Sequence, residues 1–206
     1  MNTEGKSAPA AGDENGGAGC HPPGNPPVVL LAAQSGTGKT SVCRRLAADA
    51  KARGLLTAGI LSLAVQDDGE KRGIALRSIG SGESHLLATK CNGDEAPDVG
   101  TWKFVADTVA WGNAILAQIP ICDLLVIDEI GPLELFSGKG FTGFPDVLRK
   151  GQYRLAVVTV RPALADVLSG KLPDLNVRVF RMTVETRERI RQELFELLAG
   201  KDDAEG

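Results

Sequence analysis

The residues best suited to chemistry form one run, Ala33-Gln34-Ser35-Gly36-Thr37-Gly38-Lys39-Thr40. Gly36 and Gly38 open backbone conformations closed to other residues, so successive amides can face one anion. The apolar run Val28-Val29-Leu30-Leu31-Ala32 ahead of it reads as a buried strand. A helix is expected from about Lys39, which adds the positive end of its dipole to the same anion site. Strand, glycine loop, Gly-Lys-Thr and helix in that order make a Walker A phosphate loop. The expected nucleotide-binding set is Ala33, Gln34, Ser35, Gly36, Thr37, Gly38, Lys39, Thr40 and Ser41. Lys39 is expected to reach the β- and γ-phosphates, and the Thr40 hydroxyl to be a magnesium ligand. A glycine-rich loop that merely turns the chain is the plainer alternative, and the strand–helix context argues against it.

The second constellation is Leu124-Leu125-Val126-Ile127-Asp128-Glu129, an apolar strand ending in two carboxylates, the Walker B pattern. In open α/β sheets ligands bind at such strand ends. Asp128 is the expected magnesium holder, directly or through water. Glu129 is placed to accept a proton from a water attacking the γ-phosphate. A third candidate is Arg161, in Thr159-Val160-Arg161-Pro162 after the next apolar strand. Thr159 and Arg161 are two apart and share one face of that strand. Arg161 is a candidate for stabilising transition-state charge, with a surface or helix-entry arginine as the alternative.

These groups need a scaffold, and the pattern between them supplies one. The first helix has Val42, Leu46 and Ala50 on one face and stops at Gly54. Leu56 to Val65 reads as a strand, and Asp67-Asp68-Gly69 as a turn. Ile74 to Ile79 and His85 to Thr89 suggest a small antiparallel excursion around Gly80-Ser81-Gly82. Val105, Val109, Gly112, Ile115 and Leu116 fall at helical spacing. Phe144 to Lys150 reads as a helix, Leu155 to Val160 as a core strand, and a short helix follows Pro162. Val177 to Met182 is a last strand; Thr183 is the expected cap of a final helix with Ile190, Leu194, Leu197 and Leu198 on its core face. Alternating strands and helices mean an α/β fold with a mostly parallel sheet.

Bulk properties agree with one domain of ordinary size. The 206 residues are 43% hydrophobic and 24% charged. The net charge of -3 counts against a nucleic-acid binder built on a broad basic face. No run approaches the roughly 20 apolar residues of a membrane span. The four cysteines lack C-x-x-C spacing, and Cys20-His21 stands in a Gly/Pro stretch without further ligands. Unpaired thiols and the lack of a leader-like segment suit the cytoplasm. Residues 1–27 read as a disordered tail, 28–200 as the phosphate-loop domain and 201–206 as a frayed end.

The string Asp128-Glu129-Ile130-Gly131-Pro132-Leu133-Glu134-Leu135 resembles the Asp-Glu-Ile-Gly-Pro-Met-Glu-Leu signature of a small P-loop nucleoside-triphosphatase family. That family was named from a thermophile enzyme and includes a human cancer-related member. Ser81-Gly82-Glu83, Val99-Gly100-Thr101-Trp102-Lys103-Phe104 and Thr186-Arg187-Glu188 resemble further strings of the same family, in the same order. The resemblance implies a three-layer α/β/α sandwich of the RecA-like kind. It also implies magnesium-dependent hydrolysis of nucleoside triphosphates, ATP or GTP, with loose base preference. Ala33 departs from the first loop glycine, Ser35 from a frequent proline, and Thr186 from the late asparagine.

Two other classes fit the same phosphate loop. A nucleotide or small-molecule kinase would need an acceptor pocket and usually an arginine-rich lid, and no such arginine cluster is evident. A nucleotide-dependent accessory or switch protein for cofactor assembly would turn over slowly for a protein partner. The Phe136, Phe141 and Phe144 segment reads as a loop packed on the core, with a gate over the nucleotide as the sharper alternative. Glu134 reads as a loop-ordering group, and Arg187 as part of a solvated face or as a base-stacking group.

Overall fold

A computed structural model describes residues 25–91 and 96–200. Cys20-His21 and most of the expected tails therefore lie outside the described residues. In chain order the strands are β1 Pro27–Ala32, β2 Thr57–Asp67, β3 Glu70–Ser78, β4 Ser84–Lys90, β5 Trp102–Phe104, β6 Cys122–Ile130, β7 Tyr153–Val160 and β8 Asn176–Arg181. The helices are α1 Lys39–Ala52, α2 Ala106–Ala117, α3 Phe144–Lys150, α4 Pro162–Gly170 and α5 Arg187–Leu198, with a π-helical turn at Leu133–Ser137.

The strands form one sheet in the order β5-β4-β3-β2-β6-β7-β1-β8. From β2 to β8 neighbours run parallel. From β2 to β5 they run antiparallel. β2 takes part in both halves: Thr57–Ile60 pair with β6, and Ile60–Asp67 with β3. The expected antiparallel excursion is therefore present and longer than the apolar runs suggested. Its first turn carries Asp68 and Gly69 at φ of 45° and 78°, which suits a tight hairpin whose central residues are left-handed.

Alternation sorts the buried strands onto two cores. Val28, Leu30 and Ala32 face the layer of α2, α3 and α4, while Val29, Leu31 and Ala33 face α1 and α5. β7 repeats the split, with Ala156, Val158 and Val160 on the first side and Leu155 and Val157 on the second. A strand buried on both faces has no polar side, which explains its unbroken apolar runs. The outcome is three layers, α/β/α.

Four details differ from the sequence reading. Pro27, assigned to the tail, is the first residue of β1 and pairs with Asn176. β5, three residues long, has too short an alternation to be seen in advance. Leu197 is only partly buried, whereas Ile190, Leu194 and Leu198 are fully packed. Thr183 does not cap α5; that helix begins at Arg187 after Thr186. The Thr183 amide donates to Thr186 Oγ1 (2.9 Å) and the Thr186 amide to Thr183 Oγ1 (3.3 Å), so the two hydroxyls serve a turn ahead of the helix.

Candidate active site at the phosphate loop

β1 ends at Ala32, and the loop that follows delivers the chain into α1 with no side-chain cap. Gly36 and Gly38 stand at φ of 82° and 100°. These are the left-handed conformations that the amide cradle requires. Ala33 is buried in the α1-side core, and its amide donates to Val160 O at 3.2 Å. A methyl group at this first loop position thus has an apolar seat. Thr37 is buried and its amide donates to Gln34 O, closing the turn. Gln34, Ser35, Gly36 and Ser41 are exposed along the outer rim. Arg187, at the start of α5, lies against the loop: a Cβ on Gly38 would come within 3.1 Å of its guanidinium.

Lys39 lies over the mouth of the loop. Its ammonium donates to Ala33 O (2.7 Å) and Gln34 O (3.2 Å). Burial lowers its pKa, and the carboxylates of Glu129 and Asp128 oppose that shift. Arg161 acts on it in the same sense as burial. Lys39, Glu129, Asp128 and Arg161 therefore share one electrostatic neighbourhood.

The two carboxylates stand in a β-bulge. Ile127 pairs with Val158 and Ile130 with Val160, so Asp128 and Glu129 together oppose the single residue Thr159. Ile127 and Ile130 both belong to the α2-side core. In a regular strand consecutive residues point to opposite faces. Here the extra residue leaves both acids free of that alternation, and Glu129 takes φ 70°, a left-handed conformation uncommon for a side chain of its size. Such local strain concentrates at functional sites.

Asp128 is fully buried, and burial raises its pKa above the usual carboxylate range against three hydrogen bonds, from Thr159, Thr40 and the Ser62 amide. Thr159 Oγ1 donates to Oδ1 at 2.7 Å and Ser62 N to Oδ2 at 3.0 Å. The Thr40 hydroxyl also lies within 3.5 Å of Ser62 O, placing loop and acid side by side. Sequence reading missed Thr159 and Ser62 as site residues. Their one signal is a lone hydroxyl inside an otherwise apolar buried strand.

A hydroxyl and a buried carboxylate are hard oxygen donors, the set that magnesium takes alongside substrate phosphates. Among the described residues no group of three or more His, Cys, Asp or Glu could hold a metal by itself. Thr40 and Asp128, brought side by side at Ser62, fit that donor set.

The other candidate residues take up these positions. Glu134 accepts the amides of Gly131 (2.9 Å) and Phe141 (3.0 Å), which closes the loop after β6. Phe141 and Phe144 are core residues, whereas Phe136 is exposed. Glu83 accepts from or pairs with His85 at 2.8 Å on the surface, in a turn next to Ser78. The neighbouring Ile79 carbonyl accepts the ammonium of Lys51, which lies in the last turn of α1, at the opposite end of that helix from the phosphate loop. Arg161, exposed, stands between the end of β7 and the start of α4 at Pro162.

Known proteins resemble the chain along most of its length. The profile of the NTPase family matches residues 28–195. A nucleoside-triphosphatase THEP1 of Thermofilum pendens is 29% identical over 167 residues, 80% of this chain and 91% of the relative. The corresponding protein of Thermococcus kodakarensis is 30% identical over 135 residues, 63% of this chain and 74% of the relative. The solution structure of a human cancer-related nucleoside triphosphatase superposes with a TM-score of 0.62 at 20% identity, covering 88% of this chain and 100% of that one. With its phosphate loop, its bulged acidic pair and this match along most of its length, the chain belongs to the NTPase family.

Proposed function

We propose that this chain hydrolyses nucleoside triphosphates, ATP or GTP among them, to the diphosphate and phosphate, with magnesium. The observation that carries this reading is the bulge opposite Thr159, which sets Asp128 and Glu129 side by side in the field of Lys39. The names of the relatives, nucleoside-triphosphatases, point the same way. Loose base preference rests on the family resemblance. A cytoplasmic location is supported by the free thiols Cys43, Cys91 and Cys122. Among the described residues no helix is long and apolar enough to cross a membrane.

In this mechanism the amides of Gly36, Gly38, Lys39, Thr40 and Ser41 and the Lys39 ammonium grip the β- and γ-phosphates. Thr40 and Asp128 would hold magnesium, which supplies positive charge to the phosphate oxygens when bound. Glu129 accepts a proton from a water that attacks the γ-phosphorus. Arg161 balances the charge that develops on the γ-phosphoryl oxygens. Thr159 holds the Asp128 carboxylate and the Glu129 amide in register.

The test is phosphate release from a panel of nucleoside triphosphates with magnesium, using the wild type, Lys39→Ala and Glu129→Gln. Lys39→Ala should lose nucleotide binding. Glu129→Gln should keep binding and lose about 10²-fold or more in rate, the scale of general-base catalysis. A Glu129→Gln variant that hydrolyses at the wild-type rate removes the assigned base.

A further inference from the structure

One groove is continuous with the phosphate loop. Gln34 and Thr37 line it from the loop, Pro162 from the start of α4, and Met182, Val184 and Glu185 from the segment between β8 and α5. Its volume of about 430 Å³ lies within the roughly 300–1,000 Å³ of small-molecule sites. The β8–α5 segment is pinned. The Met182 amide donates to Ala32 O at 2.9 Å, which ties it to the strand that feeds the loop, and the amides and hydroxyls of Thr183 and Thr186 bond one another. Met182 is buried, whereas Val184 is 55% exposed. Val184 thus offers apolar surface that the fold leaves uncovered, on a fixed wall beside the loop.

The sheet order sets which part of a nucleotide faces this groove. In the run β6-β7-β1-β8, the strand that carries Asp128 and Glu129 lies on one side of β1 and β8 on the other. In the hydrolytic reading, on which this inference rests, the γ end of the triphosphate lies at Glu129. The nucleoside, at the other end of the phosphate chain, then emerges away from β6, and the groove that shares Gln34 and Thr37 with the loop lies on that flank. A nucleobase has flat, weakly polar faces and a hydrogen-bonding edge. Pro162, Met182 and Val184 suit the face. The Gln34 amide group both donates and accepts, so it suits the edge of any base. The charged lining groups already have partners, Arg181 in Asp166 and Glu185 in the Thr183 hydroxyl.

We propose that this groove seats the nucleobase of the bound triphosphate, with Met182 and Val184 against its face and Gln34 at its edge. A seat that grips the face, and reads the edge only through a group that both donates and accepts, discriminates weakly between bases. Tolerance of the base is then a property of these residues, and affinity for the nucleoside part comes from apolar cover.

The test is calorimetric titration of the full chain, with magnesium, by inorganic tripolyphosphate and by the β,γ-imido analogues of ATP and GTP, which resist hydrolysis. Tripolyphosphate carries the phosphates and no base, so it reports the loop alone. The wild type should bind both analogues about tenfold or more tightly than tripolyphosphate. Val184→Asn should weaken both analogues about five- to tenfold, the effect of no longer covering the exposed half of a valine, and leave tripolyphosphate unchanged. Val184→Leu keeps the apolar surface and should bind the analogues as the wild type does. An unchanged tripolyphosphate affinity also shows that the variant is folded. Equal wild-type affinity for all three ligands, a Val184→Asn loss shared by tripolyphosphate, a loss confined to one analogue, or no loss overturns the base seat. Failure of all three to bind the wild type removes the phosphate site itself, and the hydrolytic reading with it.

Discussion

Thr159 Oγ1 donates its hydrogen to Asp128 Oδ1 at 2.7 Å, and the same oxygen accepts the Glu129 amide at 2.7 Å. One hydroxyl on β7 thus holds both halves of the bulge, and Thr159 is fully buried. Thr159→Val keeps the shape and leaves Asp128 Oδ1 and the Glu129 amide without this partner. The expected cost is about 1–3 kcal/mol of stability, read by urea denaturation. Phosphate release should fall on the order of 10- to 100-fold, as expected when catalytic groups shift by a fraction of an ångström. Thr159→Ser restores the hydroxyl and should recover most of both. A Val variant with wild-type turnover would show that the bulge holds itself.

The φ of 70° at Glu129 inverts a familiar preference. In an ordinary strand alanine is more stabilising than glycine by roughly 0.5–1 kcal/mol. In the left-handed region a Cβ costs about 1–2 kcal/mol. Glu129→Gly is therefore expected to be more stable than Glu129→Ala, although both lose activity. Thermal or denaturant unfolding of the two variants decides it, and an alanine variant as stable as the glycine one contradicts the backbone conformation.

Much of this was legible because burial writes itself into composition. β1, β6 and β7 are packed on both faces, so their apolar runs admit one reading, and Gly36-Thr37-Gly38-Lys39-Thr40 between strand and helix leaves little choice of chemistry. The bulge was not legible. A two-for-one pairing opposite Thr159 depends on which strand lies beside β6, and nothing local to Asp128-Glu129 states that neighbour. Thr159 and Ser62 were missed for the same reason, since a hydroxyl in an apolar strand acquires its partner only when the sheet is assembled. β5 was missed because three residues are too few to show a period.

Gly59 tests that assembly directly. It sits in β2 at φ 115°, and a Cβ there would lie 1.9 Å from Val126 O, two residues before Asp128. The obstacle is backbone of the neighbouring strand, so no side chain can swing aside. Gly59→Ala should cost about 3 kcal/mol or more, in the range reserved for overpacking and special backbone positions. The expected readout is a lower denaturation midpoint or a failure to fold. An unchanged midpoint contradicts the close β2–β6 approach.

Arg161 separates charge stabilisation from binding. It lines a small pocket together with Glu129 and contributes to the field at Lys39. If it acts on charge that appears only during phosphoryl transfer, Arg161→Ala lowers kcat by about 10²-fold or more, the usual effect of removing one such group. KM should change little. A higher KM with kcat intact places Arg161 in substrate binding instead, and no change in either returns it to the surface.

Glu134 offers a pH-dependent test of the loop that it closes after β6. Burial raises its carboxyl above the ordinary value of 4.5, against the pull of the Gly131, Phe141 and Glu134 amides. A raised folded-state pKa means the folded chain binds the proton more tightly than the unfolded chain. Its contribution is therefore fully present below 4.5 and declines as pH rises through the higher folded-state value. Glu134→Gln has no such titration. Urea denaturation of both proteins across this range should show the wild-type advantage shrinking as pH rises. An advantage that grows instead would mean that the two amide bonds outweigh burial and that Glu134 is held as a stabilised carboxylate.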